Sequence, residues 1–348
     1  MLQALIQRYK RIRKANFLKR DYTGTYAFVG IGNHSLNNLY PVLQHLNVRI
    51  KTIVSHSNET AALINKNFDH ISGSSDYNAV LNDPEICGIF ICANPESHFS
   101  LAKQALEHDK HVFVEKPPCL TIVELQELIE IEKTSKGILL TGLQKRYAPL
   151  YQILKQNLRN PQTYSLKYQT GYYPEGDAIT DLFIHPLDIV NYLYGKAELV
   201  SAQRFEKGKG AECIFLHVKH PNNLIGSIEL STNAWWAKAS ERFEITCNKA
   251  HYQSFNTDKL TATNKAEQLF GIPLEKVKKP KISTQTLYEK NSFLPVQNHN
   301  ELYSAGFYEE IRQFLNLCEG KKAKNLSPLI SLKDTFELIK TIKTKAHV

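Results

Sequence analysis

Residues 25–54 constrain the fold more than any other stretch. Four apolar side chains, Tyr26-Ala27-Phe28-Val29, run into the turn Gly30-Ile31-Gly32-Asn33-His34-Ser35. A helical pattern follows to about Leu46, and residues 49–54 read as a second strand. Strand, glycine turn, helix and strand in so short a span make one unit of the kind that binds a dinucleotide. Each part has a physical use. Gly30 allows the tight bend, Gly32 lets backbone N–H groups approach a pyrophosphate, and the helix N-terminus adds partial positive charge. The third glycine of this fingerprint is replaced by Ser35, which is small and able to cap a helix. Gly30, Gly32, Asn33 and Ser35 are therefore expected to hold a dinucleotide.

At the end of the second strand such a site ordinarily places Asp or Glu against the ribose 2′-hydroxyl. Here Ser55-His56-Ser57-Asn58 stand there, and the first carboxylate is Glu59. A 2′-phosphate would meet no repulsion, and Ser55 and His56 could receive it. The expected cofactor is NAD or NADP, with a lean to NADP.

The alternation continues. Residues 76–82 read as helix and residues 88–93 as an unbroken apolar strand of the doubly covered kind. A helix then runs from Asn94-Pro95-Glu96-Ser97-His98 to about His108. The next strand is Lys110-His111-Val112-Phe113-Val114-Glu115-Lys116, stopped by Pro117 and Pro118. Thr121 and Glu124 have capping-box spacing, and residues 138–142 are a further strand. Strands alternating with helices over residues 24–145 make a doubly wound parallel sheet. Ligands sit beyond the carboxyl ends of its strands, so Lys116 is an amine delivered to the place of chemistry. The competing structural reading is a surface Glu115–Lys116 pair that closes a strand.

The second half has a different pattern. Residues 163–172, 198–205, 212–218, 224–231 and 242–247 read as strands of an antiparallel sheet, with Trp235 and Trp236 placed to line a cleft. Asp181, His185 and Asp188 fall at i, i+4 and i+7 on one helical face, although Pro186 puts the start of the helix proper near itself. Residues 255–300 are polar and lysine-rich and are expected to run over the surface; residues 300–318 and 331–345 are two terminal helices. Ahead of everything, residues 1–22 carry Arg8, Lys10, Arg11, Arg13, Lys14, Lys19 and Arg20, with Leu2, Leu5, Ile6, Tyr9 and Ile12 near one helical face. A helix packed on the body is expected there in preference to one lying on a membrane or a partner. The organisation expected is a basic helix (1–22), an N-terminal Rossmann domain (23–145) and a C-terminal α+β domain (146–348) with an open, mainly antiparallel sheet. The fold class is α/β, and the terminal helices could pack back on the first domain.

Composition excludes several classes. The chain has 348 residues, 42% of them hydrophobic and 22% charged, enough for two packed domains. The net charge of +9 would suit an anionic partner such as a phosphorylated cofactor or a nucleotide-linked small-molecule substrate, with a merely solvated basic surface as the default reading. No RNA-binding or helix-turn-helix signature accompanies it, so nucleic acid is not expected. Cys87, Cys92, Cys119, Cys213, Cys247 and Cys318 form no CxxC pair and mostly sit in apolar runs. They read as buried thiols in a reducing compartment, with no disulfide frame and no metal site. With no membrane span and no signal-peptide core, a cytoplasmic location is expected.

An enzyme that oxidises an alcohol with a nicotinamide needs a base for the hydroxyl proton while hydride leaves the carbon. His185 titrates near neutrality and suits that role. Asp181 could orient it or bond a substrate hydroxyl, and Lys116 could polarise the oxygen. The structural alternative for His185 is a core histidine satisfied by Asp181. Four segments, in this order along the chain, resemble the Gfo/Idh/MocA oxidoreductases, named for glucose–fructose oxidoreductase and inositol dehydrogenase. They are the turn at Gly30 and Gly32, Ala93-Asn94-Pro95 with His98, Glu115-Lys116-Pro117, and Asp181 with His185 and Asp188. Arg146 with Pro149 adds a fifth match, and the resemblance covers about residues 24–345. It implies a catalytic set of Lys116, His185 and Asp181. It also implies a nicotinamide lying against Asn94, Pro95 and Glu115, with His98 beside them and Lys116 within reach. Arg146 and Asp188 are expected to contact substrate. The open sheet face is expected to make the contacts of a homodimer or homotetramer. Two departures, Glu175-Gly176-Asp177 where three glycines are usual and Phe183 where glycine is frequent, are expected to alter the pocket. The activity implied is NAD(P)-dependent oxidoreduction at a hydroxyl or keto carbon of a sugar, sugar nucleotide or cyclic polyol. The alternatives are a glycoside-cleaving enzyme that cycles its NAD internally and a non-catalytic cofactor sensor.

Overall fold

The computed structural model of the chain describes residues 2–18, 21–264, 268–270, 272–276, 282–290 and 297–345. After helix α1 (Leu2–Leu18), six strands form a wholly parallel sheet: β1 (Thr25–Val29), β2 (Arg49–Val54), β3 (Ser72–Ser74), β4 (Ile86–Ile91), β5 (His111–Glu115) and β6 (Leu139–Gly142). β1 is buried along its whole length, as a strand covered on both faces must be. The strand order is β3-β2-β1-β4-β5-β6. It reverses direction between β1 and β4, which opens a crevice beyond their carboxyl ends.

The crossovers are α2 (Tyr40–His45), α3 (Asn58–Asn67), α4 (Tyr77–Leu81), α5 (Pro95–Glu107) and α6 (Ile122–Thr134). The capping box at Thr121 and Glu124 forms and starts α6. One face of the sheet packs Ala27, Ile89 and Val112 against Leu106 and Leu128. On the other face Phe28, Phe90 and Phe113 lie opposite one another in the ladder. Phe314 covers them, its ring edge-on to Phe90 at 5.1 Å.

After α7 (Pro149–Asn157), the second sheet has eight strands. They are β7 (Pro161–Gly171), β8 (Glu198–Glu206), β9 (Glu212–Lys219), β10 (Ile225–Ala234), β11 (Ser240–Cys247), β12 (Ala250–Phe255), β13 (Lys259–Asn264) and, after the small hairpin β14 (Gln268–Leu269) and β15 (Ile272–Pro273), β16 (Thr284–Glu289). Its order is β16-β13-β12-β11-β7-β10-β9-β8. β7 and β10 run parallel at its centre and the other pairs are antiparallel, so the sheet is mixed. Leu150 and Leu154 of α7 cover one face, with Leu187 and Val190 of α9 (Ile184–Tyr194), which follows the single turn α8 (Ala178–Asp181). The other face is open and leaves Phe215, Ile225 and Phe255 exposed. The chain ends with α10 (Gln297–Ser304), α11 (Phe307–Cys318), which carries Phe314 to the first sheet, and α12 (Lys333–Lys345), which joins the second core.

Three expectations need correction. α1 does not pack on the body: Leu2, Leu5, Ile6, Tyr9 and Ile12 are all exposed. Both faces of the first sheet are already covered by other helices. Residues 300–318 are two helices, because Gly306 at φ 101° ends the first and starts the second. The polar stretch from residue 255 is not simply a surface excursion, since β13 and β16 lengthen the second sheet; residues 265–267, 271, 277–281 and 291–296 lie outside the described residues.

Candidate active site

β1 delivers the glycine turn. Gly30 sits at φ 85°, and a side chain there would run into the Cys92 carbonyl oxygen at the end of β4. Its N–H donates to Val54 O at 2.9 Å, so the turn is tied to β2 as well. Gly32 is exposed, and a Cβ there would meet nothing within 4 Å. Backbone open in this way fits the approach of a pyrophosphate. Ser35 behaves differently from its expected role. It is buried, its Oγ accepts from Gly32 N–H at 2.9 Å and donates to Gly32 O at 3.0 Å, and it braces the turn from inside. Asn33 is exposed, and His34 is partly exposed with its ring turned toward β5.

β5 delivers the second element. Glu115 is buried, and Gly142 opposite it in the ladder makes room, since a Cβ there would lie 3.0 Å from the carboxylate. His34 Nε2 is 3.1 Å from Glu115 Oε1, and Lys116 N–H donates to Oε2 at 3.2 Å. Burial opposes charge on both His34 and Glu115. Their mutual attraction outweighs it, holding the imidazole above and the carboxyl below their ordinary values. His98, on α5, is fully buried, with Nδ1 2.8 Å from Pro117 O and Nε2 2.9 Å from Ala93 O. It clamps the ends of β4 and β5 together and offers neither nitrogen to a ligand. Asn94 stands at the N-cap position of α5 with its side chain exposed and making no capping bond, and Pro95 follows in the first turn. An open cleft of about 190 Å³ lies where these strand ends meet, lined by Gly32, His34, Ala93, Pro95, Glu115 and Lys116 among others.

The second sheet's domain closes over Lys116. The Lys116 ammonium donates to the main-chain carbonyl of Asp181 at 2.5 Å, and burial lowers its pKa. The Asp181 carboxylate accepts from Tyr173 OH at 3.1 Å and is raised by burial. Gly176 lies beside it, and a side chain at 176 would displace the Asp181 carboxylate. His185 does not share a helix with Asp181. α8 ends at Asp181, Leu182 and Phe183 break the path, and α9 restarts at Ile184. Nor does Asp181 satisfy it: Nδ1 of His185 is buried with no hydrogen-bond partner. Burial, and then the charges of Lys116, Lys145 and His34, push its pKa well below the ordinary value, so the ring is neutral.

Other candidates fall elsewhere. Arg146 and Asp188 form a buried bidentate ion pair, Nε to Oδ2 at 2.7 Å and Nη2 to Oδ1 at 2.5 Å. Arg146 Nη1 also donates to Leu326 O and Ser331 Oγ, each at 2.7 Å. With every donor pointing into protein, the pair is closed to substrate and joins three segments instead. Ser55 turns its hydroxyl to Ser57 O at 2.9 Å, while His56 is exposed. Phe183 points into the second core and not into the pocket, edge-on to Tyr168 at 6.2 Å. Trp235 and Trp236 are exposed.

Three residues at the site carried no sequence signal. His34 occupies a variable position of the glycine turn, and Tyr173 lies in a loop. Lys145, next to a match, pairs with Glu241 at 2.5 Å and lies 4.8 Å from the Tyr168 ring centre.

Residues 25–143 match the model of an oxidoreductase family with an NAD-binding Rossmann fold, and residues 156–253 that of the GFO/IDH/MocA C-terminal domain. The inositol 2-dehydrogenase of Salmonella typhimurium is 30% identical over 129 residues, 34% of this chain and 38% of that one. A myo-inositol 2-dehydrogenase of Thermotoga maritima is 22% identical over 56% of this chain and 64% of its own. The aligned stretch spans about half the length of the curated relatives it matches. Among solved structures, a dehydrogenase from Chromobacterium violaceum superposes with a TM-score of 0.78 at 18% identity, over 93% of this chain and 95% of that one. A 3-ketoreductase from Actinomadura kijaniata, in complex with TDP-benzene and NADP, superposes with a TM-score of 0.72 at 13% identity, over 93% and 98%. At these identities the structures establish the fold.

Proposed function

The chain belongs to the Gfo/Idh/MocA oxidoreductases, with an NAD(P)-binding Rossmann domain, and we propose that it moves hydride between the nicotinamide and a hydroxyl- or keto-bearing carbon of a sugar, sugar nucleotide or cyclic polyol. One observation carries this reading. The Lys116 amine, at the end of β5 and the mouth of the cleft, meets the turn from Asp181 to His185, where a buried imidazole nitrogen has no partner. A buried polar atom without a hydrogen bond is costly, and folded chains keep few of them outside working sites.

The bound cofactor supplies or accepts the hydride. The chain does the rest. Lys116 polarises the substrate oxygen by donating a hydrogen bond to it and keeps its own proton. Neutral His185 takes the hydroxyl proton during oxidation and returns it during reduction. Asp181, held by Tyr173, bonds a neighbouring hydroxyl. Gly30, Gly32, Asn33, Asn94 and Pro95 hold the dinucleotide, with Glu115 and His34 beside the nicotinamide end. The exposed segment at His56, with no carboxylate before Glu59, favours NADP over NAD. The inositol dehydrogenases and the NADP-bound 3-ketoreductase support the substrate class and the cofactor.

His185→Ala and Lys116→Ala should each lower kcat by about 10²- to 10⁴-fold. Fluorescence titration with NADPH and NADH should show dinucleotide binding retained in His185→Ala. Unchanged turnover in Lys116→Ala would remove the basis of this mechanism.

A further inference from the structure

Helix α1 carries chemistry that the site does not absorb. Leu2, Leu5, Ile6, Tyr9 and Ile12 are exposed by 72%, 57%, 44%, 63% and 50%. At roughly 100° per residue they share one arc of about 120°. Arg8 and Lys10 border that arc on its two sides, Arg11 and Lys14 lie on the opposite face, and Arg13 closes its far end. Residues 1–20 hold seven basic side chains and no acid. Removing those seven from the 43 basic residues leaves 36 against 34 acidic ones, so the rest of the chain is close to neutral. The positive surplus therefore belongs to this segment and not to the pocket.

We propose that α1 seats the protein on an anionic lipid surface, lying flat with its apolar arc among the acyl chains and its basic edges at the headgroups. Among the described residues no helix is long and apolar enough to cross a membrane, so the contact is interfacial. Charge selects this occupant. Two copies of α1 meeting arc to arc would set Arg8 and Lys10 beside each other's basic edges with no acid to pair them. A nucleic acid would satisfy the charges but leave five apolar side chains in water.

Flotation of the full chain with phosphatidylcholine vesicles, with and without about 30% phosphatidylserine, tests the proposal. Binding should require phosphatidylserine, and weaken as salt shortens the screening length. Arg8→Gln and Lys10→Gln should each weaken it about fivefold. Leu5→Glu with Ile6→Glu should weaken it tenfold or more, on the order of two buried aliphatic side chains. NADPH titration and circular dichroism of each variant should match the parent, which separates failure here from failure of the catalytic reading. Equal binding to both vesicle types, or none, would overturn it. So would undiminished binding of Leu5→Glu/Ile6→Glu, which would mean that the basic residues alone meet an acidic macromolecule. A change of oligomeric state in that variant would show that a second copy covers the helix, and would also overturn it.

Discussion

Glu115 and Glu310 are two buried carboxyls in opposite states. Glu115 stays ionised because His34 and Lys116 outweigh its burial. Glu310, on α11, has both oxygens buried without a partner, and burial with the nearby charge of Glu115 pushes it well above the ordinary range. A carboxyl with a raised folded pKa costs stability as pH climbs above its unfolded value near 4.3. Glu310→Gln should therefore raise stability at pH 7 to 8 by about 1 kcal/mol and change little near pH 4, measured by urea unfolding. His34 has the opposite sign, for it is a histidine raised by its partner. Its contribution is complete below about pH 6.5 and is lost as pH rises through the raised folded value. Glu115 in turn loses its contribution as pH falls through its lowered value. The difference in melting temperature between the parent and His34→Ala should accordingly be largest near roughly pH 5 to 6 and shrink above it.

At the scale of elements, the Arg146–Asp188 pair joins the turn before α7 to α9 and to the segment leading into α12. Removing one partner of a buried ion pair leaves the other charged and alone. Arg146→Ala should lose about 3 to 5 kcal/mol in denaturant unfolding, with KM unchanged in the protein that remains folded. A raised KM at unaltered stability would return Arg146 to the substrate. The α8–α9 break works in the same way on the site. Phe183 fills the second core at the break, and the restart at Ile184 sets His185 independently of Asp181. The i, i+4, i+7 spacing suggested a single face, yet the chain needed that corner to bring the Asp181 carbonyl to Lys116.

For the whole molecule, the terminal helices make the two sheets one body. α11 covers the phenylalanines of the first sheet while α12 packs into the second core. The open face of the second sheet is left with Phe215, Ile225 and Phe255 exposed, an apolar surface suited to a second copy. Light scattering should find a dimer or tetramer, and Phe215→Glu with Phe255→Glu should shift it toward monomer; a monomeric parent would remove this expectation.

What could be read from the sequence alone was what is local. The parallel sheet was legible in fully apolar strands such as residues 88–93 and in the turn at Gly30, because burial pattern and turn chemistry act within a few residues. Lys116 at a strand end followed from the prolines behind it. The tertiary structure decided everything that depends on distant partners. His34 meets Glu115 across 81 positions, and Arg146 meets Leu326 across 180. It also decided which groups were used up: Ser35 on its own turn, His98 between two strand ends, Arg146 on Asp188. A polar residue's type announces what it can bond, but only the folded chain determines whether that capacity is spent inside or left for a ligand.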